Sequence, residues 1–311
     1  MANDSDICTV ANNFDTYIIY VTGFLTAITV FGCVLVIFII WSTEKLHGNT
    51  NVFIASLAAS DILISVFFTC NRATTVPHLE SGILKSKIVN CIVLGGCSGS
   101  INLSMMHMGI FAMDRYIKIT YPFFYIKHVT KRPIIVTLCC IWIMGLLNIL
   151  VPVVFYRDEQ FHTRCILLHQ PIEFYWLGAG IYLCNLAIAF ICYFSISIVA
   201  FKHKKAANNR RINTIETTGD IIQKSNLAAA MKSVQFFAVV FGVFLLCTFP
   251  PIITTGVAFY QLIPENVYLG LFFLLPIHSV LNFIIYGSMN NAFYKALKDK
   301  TSNIIMICRN M

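Results

Sequence analysis

Seven apolar runs dominate the chain: Tyr17 to Trp41, Val52 to Cys70, Ile88 to Met113, Ile134 to Tyr156, Phe174 to Phe201, Ala229 to Phe259 and Val267 to Gly287. Each is about 20 residues or longer, the length an α-helix needs to cross about 30 Å of hydrocarbon. None has the length of an ordinary strand. In lipid the backbone must satisfy its own hydrogen bonds, so uninterrupted runs of this kind read as helices. The pattern predicts an all-α integral membrane protein, a seven-transmembrane helix bundle over residues 17–287 with an N-terminal segment 1–16 and a tail 288–311. In the tail, Phe293 and Leu297 stand four apart with Lys295 and Lys298 on the other face. That spacing predicts a short amphipathic helix lying along the membrane after the seventh span.

Composition agrees with this reading. Of 311 residues 58% are hydrophobic and 12% charged, where a soluble domain carries about a quarter charged. The net charge of +8 would fit a nucleic-acid binder only if the basic residues formed a patch; here they fall in the gaps between spans. Seventeen Lys and Arg lie in the loops after spans one, three and five and in the tail, and five in the loops after spans two, four and six. Basic residues stay on the cytoplasmic side, so the N-terminus is expected outside and the C-terminus inside. Residues 1–16 hold Asp4, Asp6 and Asp15 and no apolar core, so the first span is expected to direct insertion. Lys202 to Lys232, the longest polar stretch, with Asn208, Asn209, Gly219 and few apolar residues, reads as a mobile cytoplasmic loop. Asn3-Asp4-Ser5 is a glycosylation sequon on the outer side, and Cys308 beyond the amphipathic helix is a candidate palmitoylation site. Most of the twelve cysteines lie in apolar runs and read as small buried hydrophobes.

The polar residues inside and at the edges of the spans carry the functional signal. Asp114-Arg115-Tyr116 ends the third span, with Pro122 and Phe123 in the loop that follows. Asp61 lies within the second span, Trp142 in the fourth, Phe244 to Pro250 in the sixth, and Asn282-Phe283-Ile284-Ile285-Tyr286 in the seventh. This ordered set resembles the rhodopsin-like (class A) G-protein-coupled receptors, and the resemblance runs from Phe31-Gly32 to Phe293. It implies a plasma-membrane receptor that performs no covalent chemistry and turns an extracellular ligand into activation of a heterotrimeric G protein, with arrestin and membrane lipid as further partners and no role for nucleic acid. Arg115 is then the residue that meets the G protein, although a lone arginine at this depth could simply reach the interface. Phe123 is the apolar knob on the same partner or a lipid-facing side chain. Tyr193 and Tyr286 match the two tyrosines that rearrange on activation.

An intramembrane carboxylate is a functional hypothesis by default. By the resemblance, Asp61 with Ser104 and Asn282 would surround a sodium ion, while Cys33 stands where an asparagine is expected. Cys91 and Cys165 match the family disulfide, and Cys8 is left over. Three more departures are visible: Thr248 for the sixth-span tryptophan, Asn185 for the fifth-span proline, and Phe283 for the seventh-span proline. Pro250 is retained, so the sixth helix is expected to kink there. Ala230 replaces the acidic residue that often holds the sixth span to the arginine, which predicts measurable basal activity.

The expected pocket wall comprises Cys97, Ser98, Ile101, Asn102, Leu177, Gly178, Ile181, Thr248, Ile252, Thr255 and Phe272. It is mostly apolar with a few neutral polar groups, which suits an uncharged or lipid-like ligand or the tip of a peptide. Cys97 stands where amine receptors carry an aspartate. Retinal is excluded, because the seventh span has no lysine and Pro276 occupies the Schiff-base position. A transporter or channel would show several intramembrane charges or broken helices in matched halves, and a non-signalling receptor relative is the other alternative. An intramembrane enzyme would need convergent catalytic groups. His107 and His278 lack metal-ligand spacing, and Gly95-Gly96-Cys97-Ser98-Gly99 is not a nucleophile elbow.

Overall fold

A computed structural model describes residues 13–74, 86–156, 170–211, 218–261, 263–290, 293–300 and 302, with backbone alone for 13–16, 200–211, 218–233, 265, 266 and 269. The helices are α1 (Asn13–Ser42), α2 (Asn49–Ala73), α3 (Lys87–Thr120), α4 (Pro122–His128), α5 (Lys131–Phe155), α6 (Ile172–Arg211), α7 (Thr218–Ala258), α8 (Glu265–Phe272) and α9 (Leu274–Met289), followed by a last helix, α10, over residues 293–300. No strand occurs among the described residues. Seven helical stretches are long and apolar enough to cross a membrane. Large apolar side chains such as Phe31, Phe155, Phe194 and Leu246 face outward, an arrangement stable in lipid and costly in water.

Helix α3 forms the centre, packed against α2, α5, α6 and α7, while α1 lies against α2 and α9, and α7 against α9. Buried polar groups concentrate on α3, among them Asn90, Ser100, Asn102, Ser104, His107, Asp114 and Arg115. Only the central helix is surrounded closely enough to answer so many polar side chains away from water.

Two expectations from the sequence need correction. The stretch read as a mobile loop, Lys202 to Lys232, is largely helical: α6 runs on to Arg211 and α7 begins at Thr218. Ala206, Ala207, Ala228, Ala229, Ala230 and the lysines are good helix formers. The seventh span is likewise not one uninterrupted helix, because α8 ends at Phe272 and α9 starts at Leu274. Pro276 cannot donate to the carbonyl of Phe272, and its ring crowds that position. The expected amphipathic helix is present over residues 293–300, with Phe293 and Ala296 buried and Lys295 and Lys298 exposed.

Two glycines allow close approach. A Cβ on Gly95 would fall 2.2 Å from the Ile149 carbonyl oxygen, so the glycine-rich start of α3 is where α5 presses its backbone against it. A Cβ on Gly32 would fall 2.6 Å from Cγ of Phe283. The phenyl ring that stands in place of a proline therefore fits only because α1 has no side chain there. Gly32→Ala should destabilise the protein by about 1–3 kcal/mol through overpacking, and adding Phe283→Ala should recover part of that loss. Thermal unfolding of the two single variants and the double variant checks this coupling, and an unchanged Gly32→Ala would contradict it.

Candidate functional site

The end of the bundle that carries Arg115 is tied together by side chains from four helices. Arg115 Nη2 lies 3.0 Å from Asp114 Oδ2 and donates a hydrogen bond to Thr50 Oγ1 of α2. Its guanidinium sits 4.9 Å from the ring centre of Phe237 on α7, a cation–π contact worth about 0.5–2 kcal/mol where water is excluded. Tyr125 of α4 donates to the other Asp114 oxygen at 2.8 Å. Burial and the Asp114 charge both push the Tyr125 phenol well above its ordinary pKa, so it remains a donor throughout the neutral range. Pro122 opens α4 at its first turn, where a missing N–H costs nothing. Phe123 is 87% exposed beside it. Tyr116 makes an edge contact with Tyr121.

An aromatic layer lies directly beneath. Phe237 packs on Phe111 at 4.8 Å and on Phe236 at 4.8 Å, and Phe236 on Tyr286 at 5.7 Å. Tyr193 packs on Phe241 at 5.4 Å. Tyr286 is thus joined through Phe236 to Phe237, the ring that covers Arg115, while Tyr193 contacts a different phenylalanine. Thr50, Tyr125 and Phe237 were not expected from the sequence.

At mid-bundle, Asp61 is fully buried. Asn282 Nδ2 donates to its Oδ2 at 3.0 Å, which joins α2 to α9 as expected. Ser104, expected beside the same carboxylate, instead lies 3.0 Å from Ser60 Oγ. Unforeseen is His278, whose Nε2 stands 3.3 Å from Asp61 Oδ1. Phe244 places its ring against the imidazole with centroids 5.2 Å apart. The other intramembrane histidine is a closed network. His107 Nδ1 lies 2.8 Å from the Leu103 carbonyl, its Nε2 lies 2.8 Å from Ser56 Oγ, and Trp142 Nε1 donates to Ser56 Oγ at 2.9 Å. That network joins α2, α3 and α5.

Toward the other end of the bundle a cavity of about 700 Å³, counted with its open mouth, lies among α2, α3, α6, α7, α8 and α9. Cys97, Ser98, Ile101, Asn102, Gly178, Ile252, Thr255 and Phe272 line it as expected. Ile181, Leu177 and Thr248 do not. Tyr182 takes the place given to Ile181, since one residue turns a helix by about 100°, and Leu177 is exposed on the outer face. Thr248 lies beneath, 2.8 Å from the Tyr182 hydroxyl. It donates its own hydrogen to the Phe244 carbonyl, so Tyr182 is the donor between them. Ile64, Phe68, Gln170, Tyr175, Ala179, Pro251 and Leu275 complete the wall. The buried Asn102 amide leaves its oxygen without a hydrogen-bond partner among the described residues.

Helix α7 runs through Pro250 and Pro251, and Asn185 Nδ2 bonds the Ile181 carbonyl within an unbroken α6. Cys91 is fully buried, its Sγ 3.9 Å from the Tyr156 carbonyl oxygen. Asn3, Cys165 and Cys308 lie outside the described residues.

The sequence profile of the family described as 7 transmembrane receptor (rhodopsin family) matches residues 32–286. The chain belongs to this family. It is a multi-pass membrane receptor and not an enzyme. Its relatives include the alpha-1A adrenergic receptor of Homo sapiens, 25% identical over 93% of this chain and 68% of that protein. The cannabinoid receptor 2 of Mus musculus is 25% identical over 81% of this chain and 71% of its own length. Trace amine-associated receptor 9 of Homo sapiens is 26% identical over 89% and 82% respectively. The chain spans about two thirds of the length of the adrenergic relatives.

In this receptor Ser56→Ala would leave the Trp142 N–H without its acceptor and His107 Nε2 without its donor. The expected cost is about 1–3 kcal/mol, read as a lower unfolding temperature of the purified protein with its fold retained.

Proposed function

We propose that the receptor takes up a ligand from the extracellular side, with its N-terminus outside, and promotes nucleotide exchange on a cytoplasmic heterotrimeric G protein. The observation that carries this reading is the state of Arg115, buried and held by Asp114, Thr50 and the face of Phe237. Two of these contacts reach other helices, so displacing α7 removes Phe237 and uncovers the guanidinium. The sixth span offers no carboxylate at Ala230, which leaves an aromatic ring to hold the closed form. The exposed Phe123 extends the same face. Arrestin would compete for that surface, and the basic residues of Lys202 to Arg211 and Lys295 to Lys300 would draw anionic lipid.

The cavity is the ligand site in this reading. No carboxylate lines it among the described residues, and Cys97 occupies the place of an amine counter-ion. Although several relatives bear the names of adrenergic and trace amine receptors, an uncharged, lipid-like or peptide-tip ligand suits this wall better than a protonated amine. The unpaired oxygen of Asn102 asks for a ligand with one hydrogen-bond donor. Tyr182 connects the wall to Thr248, and its ring stacks on Phe244 at 6.3 Å. A ligand that contacts Tyr182 can therefore favour one position of α7. Ligand energy shifts the equilibrium only by its difference in affinity for the two forms.

The test is ligand-free G-protein dissociation in cells at matched surface expression. The native chain should give a basal signal that Arg115→Ala abolishes. Phe237→Ala, by releasing the cation–π contact, should raise it by about 2–5-fold, the equivalent of a contact at the lower end of the range. Equal signals from the native chain and Arg115→Ala would overturn the prediction of basal activity. With no signal from either, the readings left are a receptor silent without its ligand and a non-signalling relative.

A further inference from the structure

The buried imidazole of His278 is not used by the function proposed above. Its Nδ1 lies 2.9 Å from the Leu275 carbonyl oxygen, a group that can only accept, so Nδ1 carries a hydrogen. Ser279 Oγ, farther from the same nitrogen at 3.3 Å, does not change that assignment. The other nitrogen, Nε2, faces Asp61 Oδ1 at 3.3 Å. At that separation the imidazole lies against the carboxylate, and neither Nε2 nor Oδ1 has a hydrogen-bond partner among the described residues. Asp61 Oδ2 already accepts from Asn282. The carboxylate therefore has the Asn282 amide on one oxygen and the His278 ring beside the other.

A sodium ion, which the family resemblance implies here, needs several oxygen donors around it, as hard cations do. The residues present do not fit that need. Asn282 turns its amide N–H toward Asp61, and its own oxygen, like Asp61 Oδ1, His278 Nε2 and the Tyr286 hydroxyl, has no hydrogen-bond partner among the described residues. Ser104 is engaged with Ser60. Cys33 offers a thiol from α1, and His278 places a nitrogen, not an oxygen, 3.3 Å from Oδ1. On the α7 side the ring of Phe244 covers the imidazole. The other titratable groups that the Asp61 charge reaches are Cys33 on α1, His107 on α3 and Tyr286 on α9; His107 is occupied by Leu103 and Ser56.

We propose that the His278 side chain occupies the position of the cation beside Asp61, so that this receptor excludes sodium and its closed form is insensitive to it. The closed form is then supported by an internal side chain instead of an ion drawn from the medium. This does not depend on which partner the receptor signals through, and the test reads stability alone.

Thermal unfolding of the purified full chain is measured in sodium, potassium and N-methylglucamine chlorides at equal ionic strength. The native protein should unfold at the same temperature in all three. His278→Asn should acquire a sodium-selective increase of about 2–4 °C, the size expected for a ligand of modest affinity, and Asp61→Asn added to it should abolish the increase. A sodium-selective increase in the native protein that is lost in Asp61→Asn overturns the proposal. So does a folded His278→Asn protein with no response to sodium. Should that variant fail to fold, the comparison of salts on the native chain and Asp61→Asn still decides.

Discussion

A carboxylate in the middle of a membrane has to be answered by the helices around it, and Asp61 sets where α2 and α9 meet. Leaving such a group unpaired in a dry interior costs several kcal/mol, so Asn282 and His278 are drawn to one level and α9 takes its rotation from them. The aromatic contacts above and below follow from that rotation. His278 meets Phe244 on one side, and Tyr286, one turn below Asn282, is brought against Phe236. Phe236 packs in turn on Phe237, whose ring covers Arg115. Polar pairing at mid-bundle and aromatic packing at its end are one continuous arrangement.

The departures from the family pattern make sense when taken in contacting groups. Phe283 replaces a proline and is accommodated by Gly32. Thr248 replaces a tryptophan, and the space is shared with Tyr182 through a hydroxyl pair. Asn185 replaces the proline of the fifth span, and α6 stays continuous while the asparagine bonds its own preceding turn and lies close to Gly109. In each case the change on one helix is matched on the same or a neighbouring helix, by the absent side chain of Gly32 for Phe283 and by hydrogen bonds for Thr248 and Asn185. Packing at interior density requires this, because an uncompensated void or clash is felt directly as lost stability.

Much of the fold was legible in the sequence, because apolar runs of span length have no other stable solution in lipid. The ordered motifs also singled out Arg115 and the pair Asp61 and Asn282, which a hydrogen bond joins. What escaped was the other half of each contact. Thr50, Tyr125 and Phe237 are ordinary residues in ordinary places, and only the packing of helices distant in sequence gives them partners. His278 looked like a lone packed histidine because nothing in a single span reveals that Asp61 lies across from it. The helical ends of α6 and α7 were hidden by polarity, although their alanine and lysine content was a usable sign. The break before Leu274 was foreshadowed by Pro276. The exchange of Tyr182 for Ile181 is a one-residue error of register, too fine for hydrophobicity to resolve when both neighbours are large and apolar.

The bond between Trp142 and Ser56 also has an optical consequence. Of the three tryptophans, Trp41 and Trp176 are 77% and 52% exposed and look into the surrounding acyl chains, while Trp142 is held by Ser56 with its ring edge-on to His107. A quencher dissolved in the lipid reaches the first two before the third. The emission that survives then comes from an indole fixed at the junction of α2, α3 and α5, so the native receptor carries its own fluorescent probe of that junction with no label attached.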